Sequence, residues 1–186
     1  MSTLIYVKNF IKDKNIASIT PTSKTGVRDV CKKMDLSKRV VIVEYGPATG
    51  VFTNYLLNQI TADSLIITIE LNENFANYLK ENINDSRVKV HHDSAENVVD
   101  IVKQYGETAD YVISGIPFIL MSPEMRNRVV HQTNQVLKTG GKFLPYQTCF
   151  QRNRHLKKYL QNHFSKVEDE YKLRNIPPMR VYEAVK

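Results

Sequence analysis

Tryptophan is absent from this chain of 186 residues, and cysteine occurs twice, at Cys31 and Cys149. Two thiols so far apart, without metal-ligand spacing, exclude a disulfide framework and offer no zinc motif; a reducing compartment fits, and no metal is expected. Long apolar runs are missing too. No more than four apolar residues follow one another, as at Val40–Val43, which is far short of a transmembrane helix. The first ten residues lack the basic start, unbroken apolar stretch and small-residue cleavage site of a secretory signal, so a cytoplasmic protein is the expectation. No repeat, low-complexity tract or Pro/Gly/Ser linker interrupts the chain, whose length suits one domain over 1–186, monomeric by default.

Charge is plentiful but unevenly placed. The net +7 divides into +6 over residues 1–40, −4 over 41–150 and +5 over 151–186. If the two basic ends meet on one face, they form a positive surface suited to phosphate, of nucleic acid or of an anionic membrane. The plainer reading is that lysines solvate exposed helix faces.

Short β-branched runs stand at Val40–Glu44, Leu65–Glu70, Val88–His91 and Tyr111–Ser114, each followed by a longer segment of helical period. Alternation of this kind predicts an α/β fold, a mainly parallel sheet with helices on both faces. Thr139, Gly140 and Gly141 are expected to end the helix that starts near Ser122, with Lys142–Phe150 as a fifth strand. Residues 154–164 read as a helix. Val167–Leu173 and Arg180–Val185 then read as a strand pair with no helix between them. Residues 1–37 form an N-terminal helical segment ahead of a core at 38–186. In it Leu4, Val7, Phe10 and Ile11 share one helical face, which either packs on the core or lies on an anionic membrane. A second helix runs to about Leu36, with Thr22 or Ser23 as its N-cap.

The strongest local signal is Val41-Ile42-Val43-Glu44-Tyr45-Gly46-Pro47-Ala48-Thr49-Gly50, a buried strand breaking into a small-residue turn and then a helix. Small residues let backbone approach a ligand, and the turn aims the next helix N-terminus at it. The spacing is not the G-x-G-x-x-G of pyrophosphate binders, and Glu44 at the strand end repels phosphate while suiting a zwitterionic amino-acid moiety. Glu70, twenty residues beyond Gly50 and followed by Leu71, is placed to accept both ribose hydroxyl hydrogens of an adenosine. Asp93, in His92-Asp93-Ser94-Ala95 after the third strand, is placed for the adenine amine.

In these segments the chain resembles the class I methyltransferases over residues 38–186, with Leu137–Phe143 similar to their "LKPGG" segment and Ala48 standing where many members have glycine. The resemblance implies a Rossmann-like fold, a seven-stranded sheet with an antiparallel C-terminal strand, and S-adenosyl-L-methionine as cofactor. Ser23, Glu44 to Gly50, Glu70, Leu71, Asp93, Ser94, Ala95 and Ser114 are its expected contacts. Two subfamilies share E-x-G-P-x-T-G: rRNA adenine dimethylases and bacterial phospholipid N-methyltransferases. The adenine enzymes carry a polar Asn or Asp at the fourth strand, where this chain reads Ser114-Gly115-Ile116-Pro117-Phe118, with Gly115 at the polar position. Ser-Gly-Ile-Pro, the early Pro21-Thr22-Ser23 and the late Asn175-Ile176-Pro177-Pro178-Met179-Arg180-Val181-Tyr182 are similar to the phospholipid enzymes.

That resemblance makes the expected reaction N-methylation of an aminolipid head group, phosphatidylethanolamine or a relative such as an ornithine lipid. Methylation of rRNA adenine is the alternative, and nucleic acid the less favoured partner. It also implies an anionic membrane surface as partner and a peripheral position on the inner face of the cell membrane. Ser114 and the carbonyls near Gly115 are expected to accept from the amine, with Tyr146 or His91 as proton acceptor, Phe118 offering its ring to a methylated ammonium and Arg180 holding the lipid phosphate. For His91, Tyr146, Phe118 and Arg180 the plain alternatives are a surface histidine, core packing and a surface ion pair.

Overall fold

The structure, a computed structural model, describes residues 23–148, 156–173 and 178–186. Seven strands form one sheet in the order β3-β2-β1-β4-β5-β7-β6: β1 (Val41–Tyr45), β2 (Leu65–Glu70), β3 (Val88–His92), β4 (Ala109–Ser114), β5 (Leu137–Thr148), β6 (Lys166–Lys172) and β7 (Met179–Val185). Six run the same way and β7 alone is reversed, pairing antiparallel with both β5 and β6. The parallel strands agree with the alternating pattern, and the seven-stranded Rossmann-like plan with its reversed strand is the one the resemblance implies.

The helices are α1 (Lys24–Cys31), α2 (Val51–Leu57), α3 (Glu73–Asn82), α4 (Val98–Lys103), α5 (Pro123–Val136) and α6 (Leu156–His163). Because β1 is covered on both faces, all five of its residues are buried and its sequence does not alternate. Val41, Val43 and Tyr45 point to a core closed by α4, α5 and α6; Ile42 points to a second core with Val27 and Val30 of α1 and Phe52 and Leu56 of α2.

Some boundaries differ from the sequence expectation. Helix α5 stops at Val136, and β5 begins at once at Leu137, five residues early, because Leu137 pairs with Ala109 and Gly141 bonds to the chain end through Lys186 N–H. Gly140, expected as a helix stop, lies inside the strand at φ +77°. Helix α1 ends at Cys31 instead of about Leu36. The expected N-terminal helix, Pro21-Thr22, Cys149-Phe150, Arg154-His155 and Asn175-Ile176-Pro177 lie outside the described residues. No helix among the described residues is long and apolar enough to cross a membrane.

Candidate active site

Parallel strands deliver their carboxyl ends to one edge of the sheet, and the turns that leave β1, β2, β3 and β4 meet there. After Tyr45 the chain folds back sharply: Gly46, Ala48 and Gly50 all have positive φ, at 66°, 48° and 74°. A Cβ on Gly46 would lie 2.9 Å from Ile116 Cγ2, so glycine is required where the first and fourth strand turns touch. Ala48 tolerates the left-handed conformation at the expense of roughly 1 kcal/mol.

Two acids underlie this turn. Glu44 is buried and accepts from Thr53 Oγ1 of α2 at 2.6 Å. Burial, then the charge of Glu70, pushes its carboxyl up to about 7, while Thr53 acts the other way. Glu70 accepts from Ala48 N–H at 3.0 Å and from Asn72 N–H at 2.9 Å, fastening the first turn to the second. Leu71, next in sequence, is 57% exposed. Beyond β3, Asp93 accepts from Ser94 N–H at 2.6 Å and Asn97 Nδ2 at 2.7 Å, and Ser94 caps the 3₁₀ turn Ala95–Asn97.

At the end of β4 the Ser114 hydroxyl is fully buried and makes no hydrogen bond among the described residues. Gly115 N–H donates to Tyr45 O at 3.2 Å. A Cβ on Gly115 would fall 2.3 Å from the Tyr146 hydroxyl, and the Tyr146 ring stacks on Phe52 at 4.9 Å. Phe52 and Gly115 thus fix this tyrosine at the carboxyl edge.

Other expected residues have partners of their own. Ser23 spends its hydroxyl on the N-cap of α1, accepting from Gly26 N–H at 3.1 Å. The Tyr45 side chain turns into the core, its hydroxyl 3.0 Å from Thr133 Oγ1, so only its backbone faces the turn. Phe118 is fully buried, edge-on to Phe143 at 6.4 Å, and presents no ring to a ligand. His91 lies three strands from β4, with Nε2 2.7 Å from Tyr105 hydroxyl; at about 5 Å per strand it cannot reach an amine at Gly115. Arg180, opposite Gln147 on β7, donates to Asp169 from Nε at 2.8 Å and Nη2 at 2.6 Å, between the Tyr171 and Tyr182 rings.

A family of methyltransferase domains matches residues 42–141, from β1 through the first half of β5. The chain belongs to that methyltransferase family. Over 174 residues it is 28% identical to an ornithine lipid N-methyltransferase of Singulisphaera acidiphila, covering 90% of this chain and 86% of the relative. Among solved structures it is similar to a precorrin-6y C5,15-methyltransferase of Geobacter metallireducens, with TM-score 0.73, 16% identity and coverage of 89% and 91% of the two chains. It is also similar to a SAM-dependent methyltransferase of Aquifex aeolicus, with TM-score 0.66, 15% identity and coverage of 86% and 89%. At such identities these two likenesses concern the fold.

The cofactor of this methyltransferase is S-adenosyl-L-methionine, and its residues fit that group. A cradle that a Cβ would fill at Gly46, two carboxylates in place of phosphate-binding amides and an orphaned buried hydroxyl on Ser114 suit a cationic amino-acid nucleoside. Three residues escaped the sequence reading. Thr53 holds Glu44 and Phe52 holds Tyr146; both lie in the first turn of α2, directly after Gly50, where a helix fixed by that turn must face the strand end. Arg126 is the third. It is buried, and it donates to the carbonyls of Phe118 and Met121, each at 3.0 Å.

Proposed function

We propose that the protein transfers a methyl group to the amino nitrogen of a lipid head group, as an aminolipid N-methyltransferase acting on a phosphatidylethanolamine-type phospholipid or an ornithine lipid. One observation carries this reading: a tyrosine hydroxyl occupies the space in which a side chain at position 115 would stand. The hydrogen-bonding group offered at the end of β4 is therefore a hydroxyl, which orients a tetrahedral amine, and not a carboxamide reaching for the edge of a flat base. The similarity to the ornithine lipid enzyme over most of both chains supports the same substrate class.

When bound, the cofactor supplies an electrophilic methyl group on a sulfonium. The protein's part is to bring the amine lone pair about 3 Å from that carbon, in line with the departing sulfur. A lipid amine resembles lysine, with pKa about 10, so presenting it neutral at pH 7 costs around 4 kcal/mol. A dry site beside a positive sulfonium favours release of that proton, and the Tyr146 hydroxyl accepts from the remaining N–H. Glu70 takes the ribose hydroxyls, Asp93 the adenine amine, and Glu44 the amino-acid end directly or through water. Arg180 stands at the carboxyl end of the sheet, where a lipid phosphate or carboxylate follows the amine. Its ion pair with Asp169 is shared with Lys157 Nζ at 2.7 Å, which keeps Asp169 neutralised when Arg180 turns to an anion.

The test is to incubate the purified protein with methyl-labelled cofactor and, in parallel, phosphatidylethanolamine vesicles, ornithine lipid vesicles and ribosomal RNA. Label is expected in a lipid fraction; label in RNA alone would reject the proposal.

A further inference from the structure

Six large apolar side chains are exposed among the described residues: Leu71, Ile119, Leu120, Met125, Tyr171 and Leu173. Topology puts all six at one end of the molecule. Leu71 follows β2, Ile119 and Leu120 form the 3₁₀ turn after β4, and Met125 is in the first turn of α5. Strand β6 runs parallel to β5, so Tyr171 and Leu173 come out at the same carboxyl edge. That edge is also where the acids and Tyr146 gather.

The turn Phe118–Leu120 is built as a rigid prong. Phe118 anchors it in the core, and Arg126 reaches from α5 to the carbonyls at both its ends, its guanidinium 5.2 Å from the Tyr159 ring centre. Among the described residues Arg126 makes no ion pair with a carboxylate. A buried cation is committed to holding Ile119 and Leu120, 47% and 57% exposed, away from the core.

We infer that this carboxyl-edge rim, led by Ile119 and Leu120, inserts into the surface of a lipid bilayer and sets the active-site mouth against it. The inference rests on the aminolipid reading above for its biological sense, though its physical basis is separate. The exposed side chains spread from β2 to β6, five strand spacings or roughly 24 Å apart, with polar backbone between them. A deformable apolar phase covers isolated side chains spread in that way. Ile119, Leu120 and Met125 together fall well short of the ~800 Å² per partner that a stable protein interface buries. Charge selects among surfaces: among the described residues at this end Glu73, Asp93 and Glu124 stand beside Lys172 and Arg180, so the described rim matches neither a polyanion nor a polycation. Attachment through it is apolar and insensitive to salt.

Phosphatidylcholine vesicles test this with the full chain, because their head group has no N–H and cannot accept a methyl group. The wild-type protein should sediment with them equally in low and high salt. The double variant Ile119→Asp/Leu120→Asp should bind at least tenfold more weakly while keeping its cofactor affinity. Since the chain has no tryptophan, Leu120→Trp provides a single indole, excited selectively over the tyrosines, whose emission should shift to the blue when vesicles are added. Unchanged emission together with equal sedimentation of the Asp variant would overturn the inference. So would a concentration-dependent dimer that the Asp variant abolishes while the indole stays in water, since the rim would then cover a second copy. Blue-shifted emission without methyl transfer to any lipid amine would uphold the docking surface and refute the substrate reading. Transfer to vesicle lipid at the wild-type rate by the Asp variant would do the reverse.

Discussion

The Tyr146 hydroxyl and the α-carbon of Gly115 share one small volume, in which any side chain at position 115 would begin 2.3 Å from that oxygen and 2.7 Å from the ring carbon bearing it. Gly115→Ala must therefore displace Tyr146 from its stack on Phe52. Turnover of lipid amine should fall at least thirtyfold, about 2 kcal/mol in the barrier. Cofactor affinity by calorimetry should remain within a few fold. Tyr146→Phe, which keeps the ring and removes only the hydroxyl, should lower kcat more than it changes KM.

Glu70 does two tasks, and two substitutions separate them. Glu70→Ala strips the acceptor from Ala48 N–H and Asn72 N–H and should destabilise the fold by about 1 kcal/mol for each of these part-buried donors. Glu70→Gln keeps one carbonyl acceptor and should melt nearer to wild type, yet still lose most cofactor affinity. Unchanged affinity in the Gln variant would remove the ribose role.

Glu44 makes the cofactor-free protein and the complex respond oppositely to pH. Its native carboxyl is raised from an ordinary 4.5 to about 7, so between those values the folded state holds a proton that the unfolded state has released. Stability from this group is complete below about 4.5 and declines as pH rises through about 7. Thermal melts of the free protein should fall over that window, and Glu44→Gln should flatten the slope. A cationic cofactor prefers the ionised carboxylate, so its affinity should rise over the same window.

Ala48 holds a left-handed conformation without being glycine. Ala48→Gly should preserve or slightly raise the melting temperature, because relief of about 1 kcal/mol of strain offsets the added freedom of the unfolded chain. A β-branched valine there should lower it and weaken cofactor binding; thermal melts with and without cofactor check both.

Arg180→Ala should weaken lipid turnover while leaving cofactor affinity near normal, since Arg180 lies on β7, far along the sheet from Glu44 and Glu70. Stability should change little, because Lys157 still neutralises Asp169. Equal loss of both functions would reject the phosphate assignment.

The parts of the site that were readable in the sequence are local ones. Glu44, the turn to Gly50, Glu70 and Asp93 are each fixed by a strand breaking into a turn, within a few residues of chain, and the parallel sheet follows from the β-α alternation. What escaped depends on pairing between distant segments. Leu137 joins β5 because of Ala109, Arg180 meets Asp169 because of the β6–β7 register, and Phe118 is buried because Phe143 lies beneath it. Helical period likewise gave no hint that Arg126 turns inward to backbone carbonyls, since a charged residue in a first helical turn reads as solvated.

Mass spectrometry of the lipid product, after turnover with a deuterium-labelled methyl donor, tests aminolipid methylation most directly. Labelled methyl groups are expected on the head-group nitrogen of phosphatidylethanolamine or ornithine lipid with the wild-type protein, and a large loss of that product with Tyr146→Phe. Label on ribosomal RNA with both lipids unmodified, or full product from the Tyr146→Phe protein, would contradict it.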